Sequence, residues 1–259
     1  MKITKLVIVM AILALLPATA RAVTGGTGLL GTAHDFTQAN NPSTTAPVGL
    51  CTFCHTPHKA LSTLLLWNHT LSTNTFTWAD ATATTAGTLF PTFKGDTYTG
   101  VTAKCLSCHD GSVAIGDVVL FNEAWKGNNS GVVLNRDQHN AADDVFNIGR
   151  DGKMAGNHPV AMPYPLNQSP STYNGVTTGI RIVKAEFQDD PSLSCTTTAC
   201  IRLFNSDGVA APQTGTAGLE CSSCHDPHNK AAVDDLFLRG KLTGREKSDG
   251  YICLQCHIK

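Results

Sequence analysis

The chain has 259 residues, 42% hydrophobic and 15% charged, with 10 cysteines, 10 histidines and a formal charge of −1. That length allows one large domain or two small ones, and the lack of any Lys/Arg cluster disfavours nucleic acid as a partner. Ten cysteines in an exported chain would ordinarily mean disulfides, but their spacing assigns eight of them elsewhere.

The first segment reads as a secretory signal peptide over 1–22. Lys2 and Lys5 precede an apolar run from Leu6 to Leu16, Pro17 ends the run, and Ala20-Arg21-Ala22 is a small-x-small cleavage site. The run is too short for a membrane span, and no later segment approaches about eighteen consecutive apolar residues. The expected mature chain is a single domain over 23–259, soluble and secreted to the extracellular space or cell surface, with the periplasm as the alternative. Val23 at its start offers no cysteine for a lipid anchor. Removing Lys2, Lys5 and Arg21 takes the formal charge from −1 to −4, which favours cationic or metal-bearing partners.

One pattern then recurs four times: Cys51-Thr-Phe-Cys54-His55, Cys105-Leu-Ser-Cys108-His109, Cys221-Ser-Ser-Cys224-His225 and Cys253-Leu-Gln-Cys256-His257. Each is C-x-x-C-H, the c-type haem attachment pattern. Two thiols three positions apart on a turn reach the two vinyl groups along one porphyrin edge, and the adjacent histidine is held beneath the iron. A zinc ribbon would use paired CxxC sites as a tetrathiolate and would not require a histidine after every pair. A thioredoxin-like site needs one CxxC in a βαβ setting, which is not visible. The expected cofactors are therefore four c-type haems. Cys195 and Cys200 stand apart: Ile201 follows the second, so the pair lacks a histidine and reads as a disulfide closing a short loop.

With His55, His109, His225 and His257 proximal, six histidines remain for the far side of the irons. His58 and His228 each lie three residues after a proximal histidine, in Cys-His-Thr-Pro-His and Cys-His-Asp-Pro-His. Two intervening residues cannot carry the chain around a rigid macrocycle, so each is expected to serve a different, neighbouring haem. His158, in Gly-Asn-His-Pro-Val, sits in extended chain because a proline follows. His34 precedes the first motif, with Asp35 placed to polarise it. These four are the expected distal ligands, and His69, after Trp67-Asn68, and His139, in a polar stretch, are the alternatives to His34. Filled positions on both sides leave no site for a substrate, so no catalytic residue is expected. Histidine on both sides also implies a lower potential than methionine would; Met154 and Met162 flank His158 as weak competitors.

The stretches 70–100 and 163–179 are rich in Thr, Gly, Asn, Ser and Pro, without strong helical or strand periodicity. Such a composition does not suggest a conventional core. The expected fold is a mostly irregular multihaem cytochrome c, with short α-helices around the CxxCH motifs, another over 231–238, few short strands, and a core formed by the haems. Thr56-Pro57 and Asp226-Pro227 read as helix starts. The last motif leaves two residues after His257, an arrangement that suits electron exchange at an exposed haem.

The order of these motifs resembles that of multihaem cytochromes exported by dissimilatory metal-reducing bacteria, most closely the tetrahaem, filament-forming OmcE-like cytochromes. The resemblance is carried by Gly28-Leu-Leu-Gly-Thr-Ala-His34-Asp-Phe, Cys51-Thr-Phe-Cys-His-Thr-Pro-His58, Leu66-Trp-Asn-His69, Cys105-Leu-Ser-Cys-His-Asp-Gly-Ser112, Asn157-His-Pro-Val160, Cys221-Ser-Ser-Cys-His-Asp-Pro-His228 and the final CxxCH. It implies bis-histidine ligation throughout, a continuous haem chain, and head-to-tail polymerisation with other copies, in which an axial histidine can come from the neighbouring subunit. The function expected is electron transfer to extracellular acceptors or other redox proteins. The alternatives are a multihaem reductase of nitrite or another small oxyanion, and a monomeric periplasmic shuttle.

Overall fold

Gly, Thr, Asn and Pro punctuate the chain too often for long elements. The computed structural model describes residues 25–36, 50–57, 65–78, 92–113, 148–164, 200–205 and 217–257, and the regular structure among them is brief. The leader 1–22, His58, His139 and Cys195 lie outside these residues.

Strand β1 (Thr75–Phe76) pairs antiparallel with β2 (Phe93–Lys94), which sets Phe76 opposite Phe93. Helix α1 (Val101–His109) follows and ends on the second motif. Three further strands, β3 (Met162–Pro163), β4 (Phe204–Asn205) and β5 (Ala217–Leu219), form an antiparallel sheet with β5 in the middle. The single turn α2 (Cys221–Cys224) leaves β5 directly, and a 3-10 turn over Ile252–Gln255 carries the last motif.

These small sheets gather a side-chain core, contrary to what the composition suggests. Phe76, Leu106, Met154, Ile201 and Leu203 are at most 1% exposed, and Trp78, Phe93, Met162, Tyr164 and Leu219 pack with them. The Phe76 and Phe93 rings stack at 4.9 Å, and Phe93 meets Tyr98 at 4.8 Å. Met154 and Met162 are spent in this core. The 150–154 segment joins it through β-like bonds, Thr77 N–H to the Gly152 carbonyl at 2.8 Å and Met154 N–H to the Thr77 carbonyl at 2.9 Å.

The expected helix over 231–238 does not form. Its first stretch is turns and bends, and Asp235–Phe237 is a 3-10 turn broken by Leu236 at φ 59° and Phe237 at φ 61°. The cause is local. Asp226 does not cap a helix; its carboxylate accepts the backbone N–H groups of His228, Lys230 and Ala231, folding the chain back on itself. Among the described residues no helix is long and apolar enough to cross a membrane.

Phe76 has no exposed surface, and its ring is the centre of the core. Phe76→Ala is expected to cost about 3–5 kcal/mol of stability, read as a lowered denaturant midpoint at unchanged slope.

Candidate haem-binding site

All four CxxCH motifs close one turn in the same way. The histidine N–H donates to the carbonyl of the first cysteine at 2.9 Å for His55, 3.0 Å for His225 and 2.9 Å for His257, and His109 closes α1. One helical turn brings residues i and i+3 to the same face, so the two thiols of each motif project together. The motifs are also neighbours in space, in sequence order. Cys54 lies within electrostatic reach of Cys108, Cys105 is in hydrogen-bond contact with Cys221, and Cys224 is within reach of Cys253. Burial pushes the Cys54, Cys108 and Cys224 thiols up to about 12. The eight motif cysteines are free thiols, whereas Cys200 is disulfide-bonded.

The histidines meet in twos. His55 faces His228 with ring centroids 6.1 Å apart, His109 faces His34 at 6.1 Å, and His257 faces His158 at 6.4 Å. Each pair joins a motif histidine to one from elsewhere in the chain. Two metal–imidazole bonds of about 2 Å, plus half a ring at each end, separate the centroids of an axial pair by about 6 Å. The residues therefore fit an iron ligated from both sides at three of the four motifs. His225 belongs to the remaining motif, the third in the chain, and His58, the expected distal ligand not yet placed, is outside the described residues. His69 is fully buried elsewhere, with its ring 4.6 Å from Phe53 and 5.6 Å from Trp67.

Four of these histidines share one hydrogen-bond pattern. Nδ1 contacts a backbone carbonyl in His55 (Leu65, 2.5 Å), His225 (Leu236, 2.7 Å), His158 (Pro159, 3.0 Å) and His34 (Pro227, 3.4 Å). A carbonyl only accepts, so Nδ1 carries the proton and Nε2 keeps the lone pair that binds metal. Pro227 thus takes the role expected of Asp35, whose carboxylate accepts the Gly31 N–H instead. Burial and the nearby His109 lower the His34 pKa to about 4, so it is neutral near pH 7.

The first and third motifs prove to be two copies of one folded module, a relation that sequence reasoning missed. In 51–68 and 221–239 the same bonds recur in turn. Thr56 N–H donates to Leu66 and Asp226 N–H to Phe237; Asn68 N–H donates to Cys54 and Arg239 N–H to Cys224. Asn68 Nδ2 bonds the Thr52 carbonyl at 2.8 Å, and Arg239 Nε bonds the Ser222 carbonyl at 3.1 Å. Leu65-Leu66 and Leu236-Phe237 both adopt the left-handed conformation, φ 51–62°, which is costly for side chains of this size. That conformation turns the first carbonyl of each pair onto its histidine. Asp226 and Arg239 add an ion pair at 3.5 Å that is nearly buried. Burial works to raise the Asp226 carboxyl, but its backbone bonds, led by Ala231 N–H, and the Arg239 charge hold it below its ordinary range.

The N-terminal segment delivers His34. Asn229, fully buried at φ 52°, accepts the Gly26 N–H on Oδ1 and the Gly28 N–H on its own carbonyl, and donates Nδ2 to the Gly28 carbonyl. Gly25 is needed where it stands, because a Cβ there would lie 2.7 Å from the Ala232 carbonyl oxygen.

Asn229→Ala should remove two of these bonds, at about 1–3 kcal/mol, and release 25–36 from the third motif. Faster amide exchange confined to 25–36 is the expected result; unchanged protection there would refute the tether. Compared with protein-family models and with curated proteins, the chain matches none.

Proposed function

We propose that this chain is an electron-transfer protein carrying four covalently bound c-type haems, each ligated by two histidines, and that it is not an enzyme. The observation that supports this most strongly is the pairing of three motif histidines with three remote histidines at 6.1–6.4 Å. A structural zinc site or a thiol–disulfide enzyme has no use for paired imidazoles of which one in each pair has its Nε2 kept free of a proton.

Haem, when bound, supplies reversible one-electron chemistry at iron. The protein's part is to hold and enclose it. Cys51 and Cys54, Cys105 and Cys108, Cys221 and Cys224, and Cys253 and Cys256 are the attachment pairs, with His55, His109, His225 and His257 on one side. His228, His34 and His158 lie opposite the first, second and fourth, and His58 is proposed for the third. Residues filling both sides leave no coordination position for nitrite or another small oxyanion, which weighs against a reductase. Leu65, Leu66 and Leu236 are 45–50% exposed beside the histidines that their turns hold. They offer apolar surface that a flat apolar body would cover. The sequence-order proximity of the motif thiols supports a row of four sites along which charge can pass.

The resemblance to exported filament-forming cytochromes extends the proposal. The mature chain is secreted, polymerises head to tail, and passes electrons to extracellular acceptors. Electron microscopy of the purified protein is expected to show long helical fibres; single particles of one-domain size would reject the polymer and leave a soluble shuttle.

His228→Ala tests the ligation. The variant should keep four attached haems by mass while one of the four loses its low-spin absorption signature. An unchanged low-spin spectrum would remove His228 from the site, and a wild-type mass with no added porphyrin would end the haem reading altogether.

A further inference from the structure

One buried carboxylate lies between the second and third motifs without belonging to either. Glu220 is 2% exposed, and it immediately precedes Cys221. Its Oε2 accepts the Thr102 N–H at 2.9 Å and the Thr102 hydroxyl, and its Oε1 accepts the Tyr98 hydroxyl. Its own turn is closed by other atoms: its backbone carbonyl accepts the Ser223 N–H at 2.9 Å, and Ser223 Oγ accepts the Glu220 N–H at 2.9 Å. The N-cap of α1 is Gly100, which has no side chain to cap with. A Cβ at Gly100 would overlap Tyr98 Oη and Glu220 Oε1, so the glycine makes room for the carboxylate that replaces its cap. A carboxylate from the third motif's turn thereby caps the helix of the second. Thr102 Oγ1 in turn accepts the Cys221 N–H at 3.2 Å.

We infer that Glu220 is a positioning residue that locks the second attachment helix against the third and fixes a negative charge between them, lowering the potentials of those two haems relative to the other pair. The inference rests on the haem reading above for its redox part and on the geometry alone for the clamp. Three donors converge on the carboxylate, the Thr102 N–H and hydroxyl and the Tyr98 hydroxyl, and hydrogen bonds to a carboxylate favour its charged form. Burial raises the Glu220 carboxyl above its ordinary range, and the bonds from Thr102 and Tyr98 and the Lys104 charge oppose that rise. The Glu220 charge is felt at both neighbouring sulfurs, Cys105 and Cys221. The groups facing it are Tyr98, Lys104, Cys105 and Cys221. Lys104 is 3% exposed and also donates Nζ to the Thr99 carbonyl at 3.1 Å. In a dry setting a fixed anion destabilises the addition of an electron nearby, and the effect fades with distance and solvent.

The test compares the full mature protein with E220Q. Haem number comes from mass, and the four midpoint potentials come from NMR-followed redox titration. Expected are four attached haems in both, with two potentials moved positive in E220Q and two unmoved. Four unmoved potentials, or four moved alike, would overturn the redox part. Should E220Q mature poorly, Lys104→Met keeps the carboxylate and removes the facing cation; the same two potentials should then move negative, and no such movement overturns the redox part. E220A tests the clamp by amide exchange: protection at Thr102 should fall, and its retention refutes it. Because this readout needs no haem, a protein lacking porphyrin would sink the haem reading while still reporting on the clamp.

Discussion

A histidine side chain offers two nitrogens, and what this protein does with one determines what the other can do. By committing Nδ1–H to a backbone carbonyl in His55, His225, His158 and His34, the fold presents Nε2 as a lone-pair donor in a fixed direction. The ring pairings at 6.1–6.4 Å follow from that. If the carbonyls were elsewhere, the rings would be free to turn, and opposed imidazoles would be no more than neighbouring aromatics.

The chain accepts considerable local strain to place those carbonyls. Leu65, Leu66, Leu236 and Phe237 are all left-handed, at about 1–3 kcal/mol each. Such residues persist only where surrounding bonds over-determine them. Here those bonds are the paired backbone contacts from Thr56 and Asn68 in one module and from Asp226 and Arg239 in the other. The buried Asp226–Arg239 pair and the Asn68 amide are chemically different solutions to the same task, holding the returning strand on its CxxCH turn.

How much of this the sequence discloses depends on which physical rule governs each residue. The motif turns are legible because Cys and His recur at one fixed spacing, and a local backbone bond closes each turn. The His34, His158 and His228 positions could be singled out by their neighbours, although which histidine each one faces needs long-range geometry. The second half of each module is not legible, since Leu-Leu and Leu-Phe carry no left-handed signal and propensity argues against it. The Cys-His-x-Pro-His match and the later leucines, 170–171 residues apart, were the available clue. The stretch 231–238 misleads because its helix-forming residues are overridden by Asp226, which occupies three of their neighbourhood's N–H groups. The core was hidden for a different reason: Phe76, Phe93, Tyr164 and Leu203 lie far apart in sequence, and only short strand pairings bring them together.

The doubled module also bears on how such a chain matures. The bonds that recur in 51–68 and 221–239 each close within their own stretch, so each is a local loop whose ordering entropy is modest and whose formation is fast. The opposing histidine, by contrast, arrives from far along the chain: His228 stands 173 residues beyond His55, by subtraction of their positions. The first of these cassettes can take shape as soon as its own eighteen residues have been made, well before its distant partner exists. Local turn formation and tertiary assembly are thereby separated in time, and the later step can select for chains whose earlier one succeeded.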